Sequence, residues 1–156
     1  TGAVQRLNAL LLDSITDDRF ITFVVVVLDP DQSRLAVINA GHLPPLLRRG
    51  GRKPIHVEDL AADVAGLPLG VHDCSYCEFE TTFEPGDTLL LYTDGVNEAR
   101  NVSGELYGMD RVRAAITAAP GDPEGMVKSL LAELQEFSQQ RLAGDDVTIL
   151  CLGRTT

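Results

Sequence analysis

At 156 residues with 44% apolar side chains, the chain has the size and composition of one globular domain. Its net charge of −10 argues against a nucleic-acid partner, because phosphate backbones are held by Lys and Arg. The longest apolar run, residues 23–28, is strand-sized and far short of a membrane span.

In chain order, Val4, Leu7 and Leu11 recur at helical spacing, so a helix is expected to end near Asp13. It opens without a cap, and the chain starts at Thr1 rather than Met, so an upstream segment is expected. Residues 20–28 are β-branched and aromatic and read as a buried strand. Asp29, Pro30, Asp31 and Gln32 are turn residues, and 34–39 returns as the second strand of an antiparallel hairpin. Residues 43–48 add a third short strand, and 51–74 read mostly as loop. Residues 76–83 alternate polar and apolar, the mark of a half-exposed strand. Pro85 and Gly86 turn the chain into 88–92, an apolar strand expected at the centre of a sheet.

Two helices follow. Met109, Val112, Ala115 and Ile116 face inward on the first; Val127, Leu130, Leu131, Leu134 and Phe137 do so on the second, with Asp122 as N-cap and Pro123 at the first helical position. Residues 147–152 form the last strand. Runs of strands with helices segregated between them give an α+β class of antiparallel sheet layers covered by helices.

Two carboxylate motifs stand out. Thr93-Asp94-Gly95 closes one apolar strand, and Gly144-Asp145-Asp146 opens another. If those strands lie in facing or adjacent sheets, the carboxylates can converge at a sheet edge, where only a cation relieves their repulsion, and oxygen-only donors suit Mg²⁺ or Mn²⁺. Each motif taken singly also reads as a solvated turn. Adjacent side chains diverge, so only one of Asp145 and Asp146 is expected to reach a given ion. Asn97 and Glu98 follow closely enough to shape the same site from behind. Asn39, Gly41 and His42 read as a hydrogen-bonded structural loop.

Residues 54–99 hold ten acids and no Lys or Arg, which serves solubility and also concentrates divalent cations. His72, Cys74 and Cys77 could in principle build a zinc module, but a fourth ligand is absent nearby, and three reduced thiols fit better. The chain opens with no leader pattern, and a cytoplasmic location is expected.

The motifs form an ordered series: Phe20-Ile21-Thr22-Phe23, Asn39-Ala40-Gly41-His42 with Pro44-Pro45-Leu46-Leu47, Leu67-Pro68-Leu69-Gly70, Pro85-Gly86-Asp87, Tyr92-Thr93-Asp94-Gly95-Val96, Glu98-Ala99-Arg100 and Asp145-Asp146-Val147-Thr148. The series resembles the stage II sporulation protein E type of serine/threonine phosphatase, a branch of the metal-dependent type 2C phosphatases. The resemblance implies an antiparallel β-sandwich flanked by helices, with two Mn²⁺ or Mg²⁺ ions at one end. It makes Asp94 and Asp145 metal ligands, with Asp146 and the Gly95 backbone as weaker assignments and no catalytic side chain beyond a metal-activated water.

The upstream Gly-Asp motif of such phosphatases has no match before the first helix. Residues 1–156 are therefore expected to be one phosphatase domain, N-terminally incomplete and lacking its first strands. The implied activity is metal-dependent hydrolysis of phosphoserine or phosphothreonine on a protein. A phosphorylated anti-anti-sigma factor in bacterial partner-switching or stress signalling is the expected substrate, under control of an upstream sensor or receiver domain and with dimerisation through helices. The alternative is an inactive or truncated phosphatase-fold module that binds a phosphoprotein or regulator.

Overall fold

The computed structural model describes residues 1–14, 19–50, 53–139 and 146–155. Among these the chain forms α1 (Gly2–Ser14), β1 (Phe23–Asp29), β2 (Arg34–Ala40), β3 (Leu46–Arg49), β4 (His56–Asp59), β5 (Glu78–Thr82), β6 (Thr88–Tyr92), α2 (Gly108–Ala118), α3 (Pro123–Phe137) and β7 (Ile149–Gly153). They divide into two compact units, residues 1–44 with 59–83 and residues 45–58 with 84–156. The expected α+β class with antiparallel sheets and helices is what the structure shows.

The first unit holds a three-stranded sheet ordered β1-β2-β5. Its hairpin turn forms where the turn residues predict it: the Asp29 carboxylate accepts the Gln32 N–H at 3.1 Å, and the register runs from Phe23 opposite Ala40 to Asp29 opposite Arg34. The central strand β2 is buried from Leu35 to Ala40, and each large apolar side chain there contributes about 1.5–3 kcal/mol by leaving water. β1 is an edge strand and therefore half-exposed rather than buried, with Val27 52% accessible. It starts at Phe23 because Ile21 instead exchanges backbone hydrogen bonds with Leu69, at 3.0 and 2.8 Å.

α1 contributes Val4 to a core with Ile38, Ala40, Leu69 and Tyr76. One turn on, Asn8 is also buried, its amide donating to the His72 carbonyl and accepting from the Gly70 N–H, both at 2.9 Å. A buried polar side chain satisfied at both ends fixes the 70–72 loop against the helix at little desolvation cost.

The second unit holds a four-stranded sheet ordered β4-β3-β6-β7. β6 is internal and buried, as its unbroken apolar run predicts. β3 begins at Leu46 rather than at 43 because Pro44 and Pro45 have no N–H for a ladder. β4 lies in the stretch expected to be loop. It is a four-residue edge strand too short to show a period, and Arg49 clamps its Glu58 through two hydrogen bonds of 3.0 and 3.1 Å.

Arg49 also meets Asp87 at 2.8 Å. The Asp87 side chain is only 3% exposed and additionally accepts the N–H groups of Gly50 (3.1 Å) and Glu84 (3.0 Å). Burial by itself lowers the Arg49 pKa, but Glu58 and Asp87 more than offset this and hold it above its ordinary value. Gly50 is obligatory there, since a Cβ would lie 1.8 Å from the Gly86 carbonyl oxygen.

α3 starts as expected, with the Asp122 carboxylate accepting the Gly125 N–H at 2.7 Å and Pro123 in the first turn. It packs on β7 and α2 through Met126, Leu130 and Leu134, so Met126 rather than Val127 is the buried residue of its first turn. Cys151 on β7 lies 3.7 Å from the Met126 sulfur, and burial, aided by Asp122, pushes its thiol pKa up to about 11. No described helix is long and apolar enough to cross a membrane.

Candidate active site

β6 and β7 are direct antiparallel neighbours, with Tyr92 opposite Ile149. The end of β6 and the approach to β7 therefore lie at the same edge of one sheet. Asp94 is two residues beyond Tyr92, and Asp146 is three residues before Ile149.

Thr93 ties the two segments together. Its N–H donates to the Thr148 carbonyl at 3.1 Å, its hydroxyl donates to the Asp146 carbonyl at 2.7 Å, and the same hydroxyl oxygen accepts the Thr148 N–H at 2.9 Å. The first of these bonds continues the ladder one step, but the Thr148 N–H goes to the Thr93 hydroxyl and the Thr93 carbonyl to the Val96 N–H, so regular pairing stops and β7 begins at 149 rather than 147. The one sign of this role in the sequence is a β-branched hydroxyl placed directly before the Asp-Gly pair.

After Thr93 the chain turns sharply. The Val96 N–H reaches the Thr93 carbonyl at 3.0 Å and the Glu98 N–H reaches the Asp94 carbonyl at 2.8 Å. Gly95 and Val96 are buried while Asp94 and Glu98 are exposed, so the turn sinks its apolar side and leaves both carboxylates in solvent. Asn97 is half-buried, its carbonyl accepting from the Gly108 N–H at 2.8 Å. Its side-chain Oδ1 is buried and has no hydrogen-bond partner among the described residues.

Asp146 is exposed, and Asp145 lies outside the described residues. Among the described residues no three His, Cys, Asp or Glu side chains are grouped to hold a metal. Asp94 and Asp146 offer only oxygen, the donor chemistry of hard divalent cations, so the residues present fit such an ion in kind.

The remaining candidates belong to the first unit. The Asn39 side chain donates to the His42 carbonyl (2.9 Å) and accepts the His42 N–H (2.8 Å), while the His42 ring bonds the Leu43 carbonyl at 2.9 Å. Gly41 sits inside this closed loop at φ +71°, and a Cβ there would come within 2.4 Å of Pro68. His72 is exposed, Cys74 packs against the α1 core, and Cys77 is exposed; both cysteines are free thiols.

A sequence profile described as Stage II sporulation protein E (SpoIIE) matches residues 1–155. The chain belongs to this family. Among its relatives, the phosphoserine phosphatase RsbU of Bacillus subtilis is 29% identical over 155 residues, covering 97% of this chain and 44% of RsbU. Among solved structures, the manganese-presoaked phosphatase domain of SpoIIE from Bacillus subtilis matches 99% of this chain and 65% of that one, with a TM-score of 0.71 at 19% identity. The SpoIIE PP2C phosphatase domain with a fragment of its regulatory domain matches 96% of this chain and 43% of that one, with a TM-score of 0.76 at 18% identity. These likenesses show the PP2C phosphatase fold. The SpoIIE-family chain described here spans less than half of RsbU and just under two thirds of the first of those structures.

Proposed function

We propose that this chain is part of a single phosphatase domain that hydrolyses phosphoserine or phosphothreonine on a protein, using Mn²⁺ or Mg²⁺. Asp94 and Asp145 are the proposed metal ligands, with Asp146 and the Gly95 backbone as neighbouring oxygen donors. The observation that carries this reading is the Thr93 joint, which holds the Asp94 turn and the Asp146 segment at one sheet edge. A divalent ion bound there would supply Lewis-acid stabilisation of phosphoryl oxygens. Thr93 fixes the spacing between the two acidic segments, and Asn97 and Glu98 shape the turn behind Asp94. The exposed carboxylates repel a phosphate dianion when no cation is bound, so substrate binding should itself depend on metal.

Family membership and the phosphoserine phosphatase RsbU support a phosphoserine protein as substrate. A phosphorylated anti-anti-sigma factor is the proposed specific partner, with an upstream sensor or receiver domain as regulator, helix-mediated dimerisation, and a cytoplasmic location. The test is phosphate release from a phosphoserine protein, titrated with Mn²⁺, by this chain and by the full-length protein. Release by the full-length protein alone supports the reading and shows that residues outside this chain complete the site. Binding without release by either leaves the phosphoprotein-binding module as the function.

A further inference from the structure

Between the Asp94 turn and α2 the chain makes a hairpin over residues 97–108. Its two arms pair through Tyr107 N–H to the Ala99 carbonyl (2.8 Å), Gly108 N–H to the Asn97 carbonyl (2.8 Å), and a bridge between Arg100 and Leu106. The tip is tightly made. The Asn101 side-chain oxygen accepts the N–H groups of Ser103 (3.0 Å) and Glu105 (2.9 Å), and Gly104 turns at φ +80°.

The returning arm is pinned to both helices. Arg111 bonds Glu105 (2.6 Å) and the carbonyls of Leu106 (3.0 Å) and Tyr107 (2.9 Å) while lying 4.9 Å over the Phe137 ring. The Tyr107 hydroxyl donates to Glu133 at 3.0 Å. Burial and that carboxylate push the Tyr107 pKa up, so the hydroxyl stays protonated as the donor.

This closely bonded element carries two exposed apolar side chains. Val102 at the tip is 61% accessible and Leu106 is 40% accessible. Arg100, exposed beside them, is steadied by donating to the Gly104 carbonyl at 3.0 Å, yet it has no carboxylate partner among the described residues, unlike Arg34, Arg49 and Arg111. At the base, an open cavity of 520 Å³ is lined by Leu106, Tyr107, Gly108, Met109, Asp110 and Arg111. In a chain of net charge −10, a cation with no carboxylate partner among the described residues, flanked by exposed apolar side chains, complements an anionic partner surface with an apolar rim.

We propose that the 97–108 hairpin is the docking element for the phosphorylated protein, with Arg100 meeting an acidic group of that protein and Val102 and Leu106 its apolar neighbours. The proposal rests on the phosphatase reading for the identity of the partner. Because the hairpin begins three residues after Asp94, a protein docked on it stands beside the acidic sheet edge.

The experiment uses the full-length protein with Mn²⁺ and labelled phosphorylated casein as probe, following binding by fluorescence anisotropy and, in parallel, hydrolysis of the casein and of p-nitrophenyl phosphate. Arg100→Glu should raise the casein Kd by about five- to tenfold and lower the casein-to-nitrophenyl ratio of kcat/KM by a similar factor. Arg100→Lys should recover most of the binding, and Val102→Ser should weaken it in the same direction. Lys128→Glu, an equal charge change on the exposed side of α3, should leave Kd within about twofold. Equal weakening by Lys128→Glu, an unchanged Kd for Arg100→Glu, or a parallel loss on both substrates would each overturn the docking role. Wild-type protein that binds casein through Arg100 but hydrolyses neither substrate would overturn the phosphatase reading while leaving the docking role standing.

Discussion

Thr93→Val is the sharpest test of the site, because it changes one hydroxyl for a methyl of similar size and keeps the β-branched shape. The substitution removes the bond to the Asp146 carbonyl and the bond from the Thr148 N–H, and keeps the 3.1 Å backbone bond between residues 93 and 148. Each lost bond is worth about 1 kcal/mol, and both freed backbone groups belong to exposed residues that water can reach, so the total loss should be about 1–2 kcal/mol. For a domain of this size that corresponds to a fall in Tm of about 2–8 °C.

The loss should fall more heavily on metal binding than on folding. Without the joint the Asp146 segment is free to move relative to Asp94, and Mn²⁺ affinity should drop about tenfold or more. Thermal unfolding by circular dichroism and Mn²⁺ titration calorimetry on the full-length protein measure the two effects, with Thr93→Ser as the control that keeps the hydroxyl. A Thr93→Val protein with unchanged Mn²⁺ affinity would refute the argument that this joint sets the spacing of the acidic pair.

Asp94→Asn in the full-length protein should abolish Mn²⁺-dependent phosphate release while leaving the unfolding curve nearly unchanged, since the side chain is exposed; wild-type turnover would remove Asp94 from the ligand set. Asp87→Ala should cost about 2–4 kcal/mol in urea unfolding, because it strips a buried carboxylate from Arg49 and from two backbone N–H groups; a loss under about 1 kcal/mol would show that Glu58 alone satisfies Arg49. With its pKa raised to about 11, Cys151 keeps its proton in the folded chain at a pH where the unfolded thiol ionises. Its contribution to stability is complete below the unfolded thiol pKa and disappears as pH rises through about 11, and Cys151→Ser should flatten the alkaline limb of a stability-against-pH curve; an identical limb would contradict this. Cys74→Ser combined with Cys77→Ser should leave turnover nearly unchanged; collapse of the fold together with loss of bound zinc would revive a thiolate metal site.

Local sequence rules determined much of this chain: the α1, α2 and α3 helices, the Asp29 turn, the Asp122 cap with Pro123, and the buried centre at β6. Each follows from a period or a capping residue that acts within a few positions. The motif series also determined the family. The short edge strand β4 was not legible, because its four residues carry no period and its clamp comes from Arg49, on the neighbouring strand β3. Nor was the exposure of β1, since an apolar strand reads the same at an edge as at a centre.

The sequence named the acids Asp94, Asp145 and Asp146 as candidates but left open how their strands met. Only the tertiary structure made β6 and β7 direct neighbours and brought Thr93 to Asp146 and Thr148, more than fifty residues away. Strand pairing depends on which apolar faces pack together across the whole unit, and no local rule reaches that far. The same holds for the 97–108 hairpin, whose anchors, Arg111 on α2 and the bond from Tyr107 to Glu133 on α3, exist only once those helices are packed.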